Sequence, residues 1–239
     1  MYTSDNSNQQ LSFIGQNSHG SDESWPFRMN VLKKIPLTEP TAVVFECPTV
    51  DLILYSLKRK SFNKNISHQH LSFSTYWWMR SQECISFLEI IPREFDVFGI
   101  DVPLSLKEHS NYISKIKKMM SFPALVKLLD KDKSLNHTMD LITPELRENL
   151  LFEKLSLITN ENYKNVLVIC HNFHATKNSW LSYSSLCQRF VENSNYSGDI
   201  TALAIFSDDM NFLATPDGKK LIRIVFPRLA KDVMIKHLM

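Results

Sequence analysis

Glycine is scarce in this sequence, with five in 239 residues. None falls in a G-x-G-x-x-G or G-x-x-x-x-G-K-[ST] pattern, the loops whose backbone amides cradle dinucleotide or nucleotide phosphates, so those cofactor loops are excluded. Cysteine is also sparse. Cys47, Cys84, Cys170 and Cys187 are widely spaced with no C-x-x-C pair, which argues against a thiolate zinc centre or a disulfide framework and for buried free thiols. Charge of one sign is missing too: 27 Lys and Arg against 25 Asp and Glu leave +2, too balanced to imply a nucleic-acid partner. No apolar run approaches the ~18 residues of a membrane span. The start MYTSDNSNQQ lacks the basic and apolar segments of a secretory signal, so a cytoplasmic protein without a membrane partner is expected. G-x-S-x-G is absent, and the serine of NSHG directly precedes a histidine, so no nucleophile elbow is present.

What remains is a globular composition, 44% hydrophobic and 22% charged. The polar residues 1–10 read as a flexible leader and residues 11–239 as a single domain. Strand-length apolar runs follow: LSFIG (11–15), TAVVFE (41–46), FDVFGID (95–101), NVLVICH (165–171), ITALAIF (200–206) and KLIRIVF (220–226). Their continuous apolarity, rich in β-branched and aromatic residues, predicts strands covered on both faces. Helical spacing occurs at 25–35, 50–60 and 79–91, and at 178–192 with a stripe of Tyr183, Leu186, Cys187, Phe190 and Val191. Thr143-Pro144-Glu145 reads as an N-cap, a first-turn proline and an acid suited to the helix dipole. Strand alternating with helix predicts an α/β fold, a mostly parallel sheet flanked by helices. The stretch 102–162 holds helical patterns without a convincing strand and predicts a helical cap over the sheet. NFLATPDGKKLIRIVF, with its Pro-Asp-Gly turn, predicts a C-terminal antiparallel hairpin.

In a parallel α/β sheet, ligands bind beyond the carboxyl ends of the strands. The residues there are Gln16 with His19 close behind, then Glu46, Asp101, and His171 with His174. Histidine titrates near neutrality, and a neighbouring carboxylate fixes its tautomer and stabilises its cation; the cluster therefore suits general-base activation of water. Each residue also has a plainer role, as a turn former or a helix cap. Glu23 and Arg28 follow His19 on the first helix, where the arginine could reach an oxyanion or simply form a surface ion pair with the glutamate. Trp77 and Trp78 suit either substrate stacking or core packing. Cys170 neighbours His171 on a strand, so the two point to opposite faces and do not form a thiolate–base pair.

Four stretches carry a family resemblance. FIGQNSHGSDESWPFRMNVLKKI resembles the opening of the erythromycin esterase-like proteins, which show a strand, G-E-x-x-H-G, and then a glutamate and an arginine on a helix. VVFECP is similar to their second strand with its terminal glutamate, FDVFGID to their G-x-D strand end, and VLVICHNFHATKNSW to their H-N-x-H element. The matches keep family order across residues 11–180. The resemblance implies a hydrolase in which His19 is the general base and Glu46, His171, His174, Arg28 and Glu23 are the matching site residues. Distant relatives include metal-dependent peptidases, so a divalent metal stays open as a cofactor; no other is implied. Two departures stand out. Gln16 replaces the motif's glutamate, which makes a cyclisation, an elimination or ligand binding alternatives to hydrolysis. The chain is also shorter than the macrolide-cleaving members, which favours a small-molecule or peptide-derived ester, lactone or amide as substrate, with Asp101, His174, Gln16, Glu23, Trp77 and Trp78 as binding residues. Nothing in the sequence specifies an oligomeric state.

Overall fold

The structure is a computed structural model that describes residues 8–16, 24–49, 52, 55–56, 77–102, 127–128, 131, 142–177, 182–193, 195–206, 211–214, 222–225 and 234–237. Strands β1 (Gln10–Gln16), β2 (Thr41–Pro48), β3 (Asp96–Asp101), β4 (Asn165–His171) and β5 (Asp199–Phe206) are parallel. Strands β6 (Asn211–Ala214) and β7 (Ile222–Val225) form a separate antiparallel pair, the hairpin its turn sequence predicts. A further strand, β8 (Met234–His237), runs antiparallel on the edge of β5 and completes the order β3-β2-β4-β1-β5-β8. Its four residues of mixed polarity give no period-2 signal of their own; the pairing comes from the exposed edge of β5.

The apolar runs are continuous because both faces of the sheet are covered. Successive side chains on a strand point to opposite faces. Phe13, Val44, Val168 and Ala202 accordingly join one core, and Ile14, Val43, Phe45, Leu167 and Ile169 join the other. Helices α1 (Ser24–Lys34) and α2 (Gln82–Ile90) cover the second face through Trp25, Leu32, Phe87 and Leu88. Helices α3 (Pro144–Thr159) and α4 (Leu186–Glu192) cover the first through Leu151, Leu155, Ile158, Leu186 and Phe190.

The helix boundaries follow their caps. Thr143 accepts a hydrogen bond from the Leu146 amide with Pro144 in the first turn, as its sequence predicts. The helix expected at 178–192 begins only at Leu186, because the Ser185 hydroxyl accepts from the Gln188 amide and caps it there. Val191 leaves the apolar stripe and is 49% exposed. Of the helix expected at 50–60, Leu52, Tyr55 and Ser56 are helical, and the others lie outside the described residues. Most of the expected cap, 102–162, lies outside them too; its last helix, α3, packs on the sheet face. At the other end, residues 1–7 of the expected leader lie outside the described residues, while Gln9 is buried and donates to the carbonyls of Thr159 and Tyr163.

Two glycines mark close approaches at the carboxyl edge. A Cβ on Gly15 would meet Asn172 Oδ1 at 2.6 Å and its Cα at 2.8 Å; one on Gly99 would meet the Pro48 carbonyl at 2.5 Å, beside the irregularity in β2. The Asn172 side chain donates to the Ile205 carbonyl and accepts from the Ile205 amide, which ties the turn after β4 to the end of β5. Gly15→Ala should push that turn away and destabilise the protein by about 1–3 kcal/mol, the usual range for overpacking a filled site. Urea denaturation measures it, and an unchanged midpoint would refute the packing account.

Candidate active site

The carboxyl ends of the parallel strands bring Gln16, Glu46, Asp101 and His171 to one rim, with Gln16 and His171 in register on neighbouring strands. Glu46 Oε2 accepts the backbone N–H of His171 at 2.7 Å, so the carboxylate of β2 sets the end of β4. The chain then turns tightly. The amides of His174 and Ala175 donate to the carbonyls of His171 and Asn172, and His174 is carried back over the strand ends. The Phe173 amide donates to Nδ1 of His171 at 3.3 Å. A neutral His171 ring therefore bears its proton on Nε2, an assignment made from the hydrogen bond.

Helix α3 supplies what the strands do not. Arg147 donates from Nε to Asp101 Oδ1 (3.0 Å), and from Nη2 to both Asp101 Oδ2 (2.5 Å) and Glu46 Oε1 (2.6 Å). Asp101 is wholly buried behind this guanidinium and also accepts from the Val102 amide, so it anchors Arg147 and is not part of the cavity wall. Two helical turns further on, the buried Lys154 ammonium donates to the Asp101 carbonyl (2.8 Å) and to Thr49 Oγ1 (3.1 Å).

His174 lies between two carboxylates, with Nε2 3.0 Å from Glu46 Oε1 and Nδ1 2.6 Å from Glu148 Oε1. The second contact is an ion pair and not an aligned hydrogen bond. Burial by itself would lower the histidine's pKa. The charge of Glu46 and the contacts with Glu148 together outweigh burial and push it up to about 10, so His174 is an imidazolium at neutral pH. It is then an acid and a fixed charge, and no base.

These groups line a cavity of about 390 Å³ whose polar wall is Glu46, Arg147, Glu148, His171 and His174. Phe173 and Tyr183 meet edge to face, ring centroids 5.5 Å apart, and with Ile142 and Pro144 form its apolar wall. The volume is at the small end of ligand clefts.

The other sequence candidates are placed differently. His19 and Glu23 lie outside the described residues, as does the side chain of Trp77. Trp78 is in the core beneath the sheet with Trp25 and Phe45, not in the cavity wall. Gln16 is fully buried and accepts from the Ser24 hydroxyl at 3.3 Å. Arg28 is no surface ion-pair residue. It is fully buried, its guanidinium lies 4.5 Å over the Trp25 ring, and none of its nitrogens has a hydrogen-bond partner among the described residues. Burial lowers its pKa to about 10, with Cys170, Cys84 and Glu46 opposing. The cavity arginine is Arg147, which sequence reasoning missed together with Glu148. Their signal was an Arg-Glu pair in the first turns after a well-defined Thr-Pro cap. All four thiols are buried and free, as their spacing suggests, and burial raises Cys170 well above the usual thiol range. The described donors do not fit a metal ion: Glu46 and Asp101 turn onto Arg147, and no three His, Cys, Asp or Glu side chains among the described residues are arranged to hold one.

No protein-family model matches the chain, and no curated protein matches it. Solved structures do. A succinoglycan biosynthesis protein superposes with a TM-score of 0.61 at 13% identity, over 92% of this chain and 72% of that one. A Bacillus cereus protein gives 0.56 at 13% identity, over 80% of this chain and 64% of its own length. An erythromycin esterase mutant in its open conformation gives 0.53 at 11% identity, over 92% and 76%. The likeness shows a shared α/β fold, and thus a remote fold relationship with an erythromycin esterase. The chain spans 64% of the Bacillus cereus protein's length. No helix among the described residues is long and apolar enough to cross a membrane.

Two outcomes follow from the charge pattern. Arg147→Met leaves the buried Glu46 and Asp101 without their shared cation and should cost about 3–5 kcal/mol, read by urea denaturation. The raised pKa of His174 means that the folded state holds a proton the unfolded chain releases. Its stabilisation is complete below about pH 6.5 and is lost as pH rises through about 10. The urea midpoint should fall across that window in the wild type, and His174→Gln should flatten this part of the profile; an unchanged slope would sink the assignment.

Proposed function

We propose that the protein is a hydrolase of an ester, lactone or amide bond in a small-molecule or peptide-derived substrate. The observation that carries this reading is the cavity at the carboxyl ends of β2 and β4, where a histidine that can donate from Nε2, an imidazolium, an arginine and two carboxylates share a wall with an apolar, aromatic one. Hydrolysis needs an activated water, a donor for the carbonyl oxygen as it becomes negative, and a proton for the leaving group. His171 Nε2–H serves the developing oxyanion. The His174 imidazolium, held by Glu46 and Glu148, supplies positive potential and a proton source. The family resemblance assigns the water's proton to His19, which follows the β1 end beside β4. Arg147 keeps Glu46 in place, and Glu46 in turn holds His171. The esterase among the structural neighbours agrees with this chemistry and does not specify the substrate.

A second reading, non-hydrolytic biosynthetic chemistry such as cyclisation or elimination, is favoured by the buried amide of Gln16 where the motif carries a glutamate, and by the neighbour named for succinoglycan biosynthesis. Product mass separates the two, because hydrolysis adds a water. Mass-resolved turnover of a panel of esters, lactones and short peptides should show that gain for the wild type. His19→Ala should lose about 10²–10⁴-fold in rate, the usual contribution of a general base, while its circular dichroism stays native. Undiminished turnover in that variant would overturn the assignment of the base.

A further inference from the structure

Among the described residues, the Arg28 guanidinium and Glu148 hold buried polar atoms without a hydrogen-bond partner, and a small cleft of about 220 Å³ opens at the amino ends of β1 and β4. Arg28 does not line the main cavity. The small cleft has Gln10 and Asn165 in its wall, and both amides already donate within the protein, to Thr201 and to Glu39. Glu148 differs from both. Its side chain is 2% exposed and lines the main cavity, one oxygen faces His174, and Oε2 is buried with no hydrogen-bond partner among the described residues.

The sequence makes this placement costly. Glu148 precedes Leu151, Leu155 and Ile158 at helical spacing, so it occupies the next place on the stripe by which α3 packs on the sheet. An apolar residue there would extend the core at no desolvation cost. A buried carboxylate oxygen without a donor is among the expensive things a fold can retain. The neighbouring groups do not need that oxygen: Arg147 is served by Glu46 and Asp101, and His174 uses the other one.

We infer that Glu148 Oε2 is the docking point for a hydrogen-bond donor on the ligand, a hydroxyl or a protonated amine next to the carbonyl, while Phe173 and Tyr183 take an apolar or aromatic group. This rests on the reading of the cleft as a ligand site, and it makes Glu148 a specificity-determining residue. A site built around a donor rejects the analogue that lacks it, because the buried acceptor is then left unpaired.

The test uses three matched esters: methyl phenylacetate, its α-hydroxy analogue methyl mandelate, and its α-amino analogue phenylglycine methyl ester. Affinity is measured by calorimetric titration and, separately, KM and kcat by product mass. Wild type should favour both donor-bearing esters over methyl phenylacetate by about 10–100-fold, the range of a hydrogen bond to a charged acceptor. Glu148→Met should bring all three within about threefold, which is close to the loss of the whole bond. Glu148→Gln keeps the shape but turns its amide oxygen to the His174 imidazolium and its NH2 to the place of Oε2, where a hydroxyl can accept and an ammonium cannot. It should keep the hydroxyl preference and lose the ammonium preference, and it decides the matter even if the methionine variant does not fold. Equal affinities for the three esters in wild type would overturn the inference, as would preferences that survive in Glu148→Gln for both donors. If the preference holds in binding and no ester is turned over, the donor site stands and the hydrolase reading falls.

Discussion

The Arg147 guanidinium sits against two carboxylates that neighbouring strands place side by side, and the site depends on that contact. Parallel strands end together, so any acids at their ends crowd into the same place. Bringing Glu46 and Asp101 out of water as neighbours would cost several kcal/mol per charge without a cation between them. Arginine suits the position better than lysine, because its planar fork meets Asp101 with two nitrogens while one of them also reaches Glu46. Once Glu46 is fixed, its other oxygen holds the His171 backbone and its first oxygen meets His174. The geometry of both histidines therefore depends on an arginine from a distant helix.

That dependence couples the fold to the chemistry through α3. The helix buries Leu151, Leu155 and Ile158 against the sheet, and this packing sets how far its first turns project beyond the strand ends. Lys154 fastens it to the end of β3. Arg147 and Glu148 then reach the cleft as a consequence of where the core locks the helix. A substitution that tilts α3 would move the charge cluster before it exposed much apolar surface.

The strands, their mostly parallel direction and the strand-end residues were legible in the sequence, because they rest on local patterns: apolar runs covered on both faces, alternation with helices and a polar residue where each run stops. Glu46, His171 and His174 came to the cavity as that rule requires. Asp101 obeyed the rule for position, but the rule is silent on whether a strand-end carboxylate faces the ligand or a partner behind it. Arg147 and Glu148 were not legible, because their role depends on the tertiary register of α3 and not on spacing within the chain. Trp78 and Arg28 show the converse. Motif context suggested the site for Arg28, and the Trp-Trp pair left stacking and core packing open; burial on the far face of the sheet places Trp78 in the core and Arg28 on the Trp25 ring.

The protonation pattern divides the labour within the cluster. A histidine between two carboxylates stays charged through neutral pH, whereas His171 accepts the Phe173 amide at Nδ1. That amide keeps Nδ1 as the acceptor and directs the ring proton to Nε2, which makes His171 a donor in its neutral form. With one histidine held as a cation and the other as a donor, the described groups provide electrophilic and acidic functions, and Glu46 spends its oxygens on positioning. Of the carboxylates in the cavity wall, Glu148 is the one with an oxygen left unpaired among the described residues, and under the proposed hydrolysis the family resemblance assigns the water's proton to His19. The chain that carries His19 leaves β1 at Gln16, the residue in register with His171 on β4.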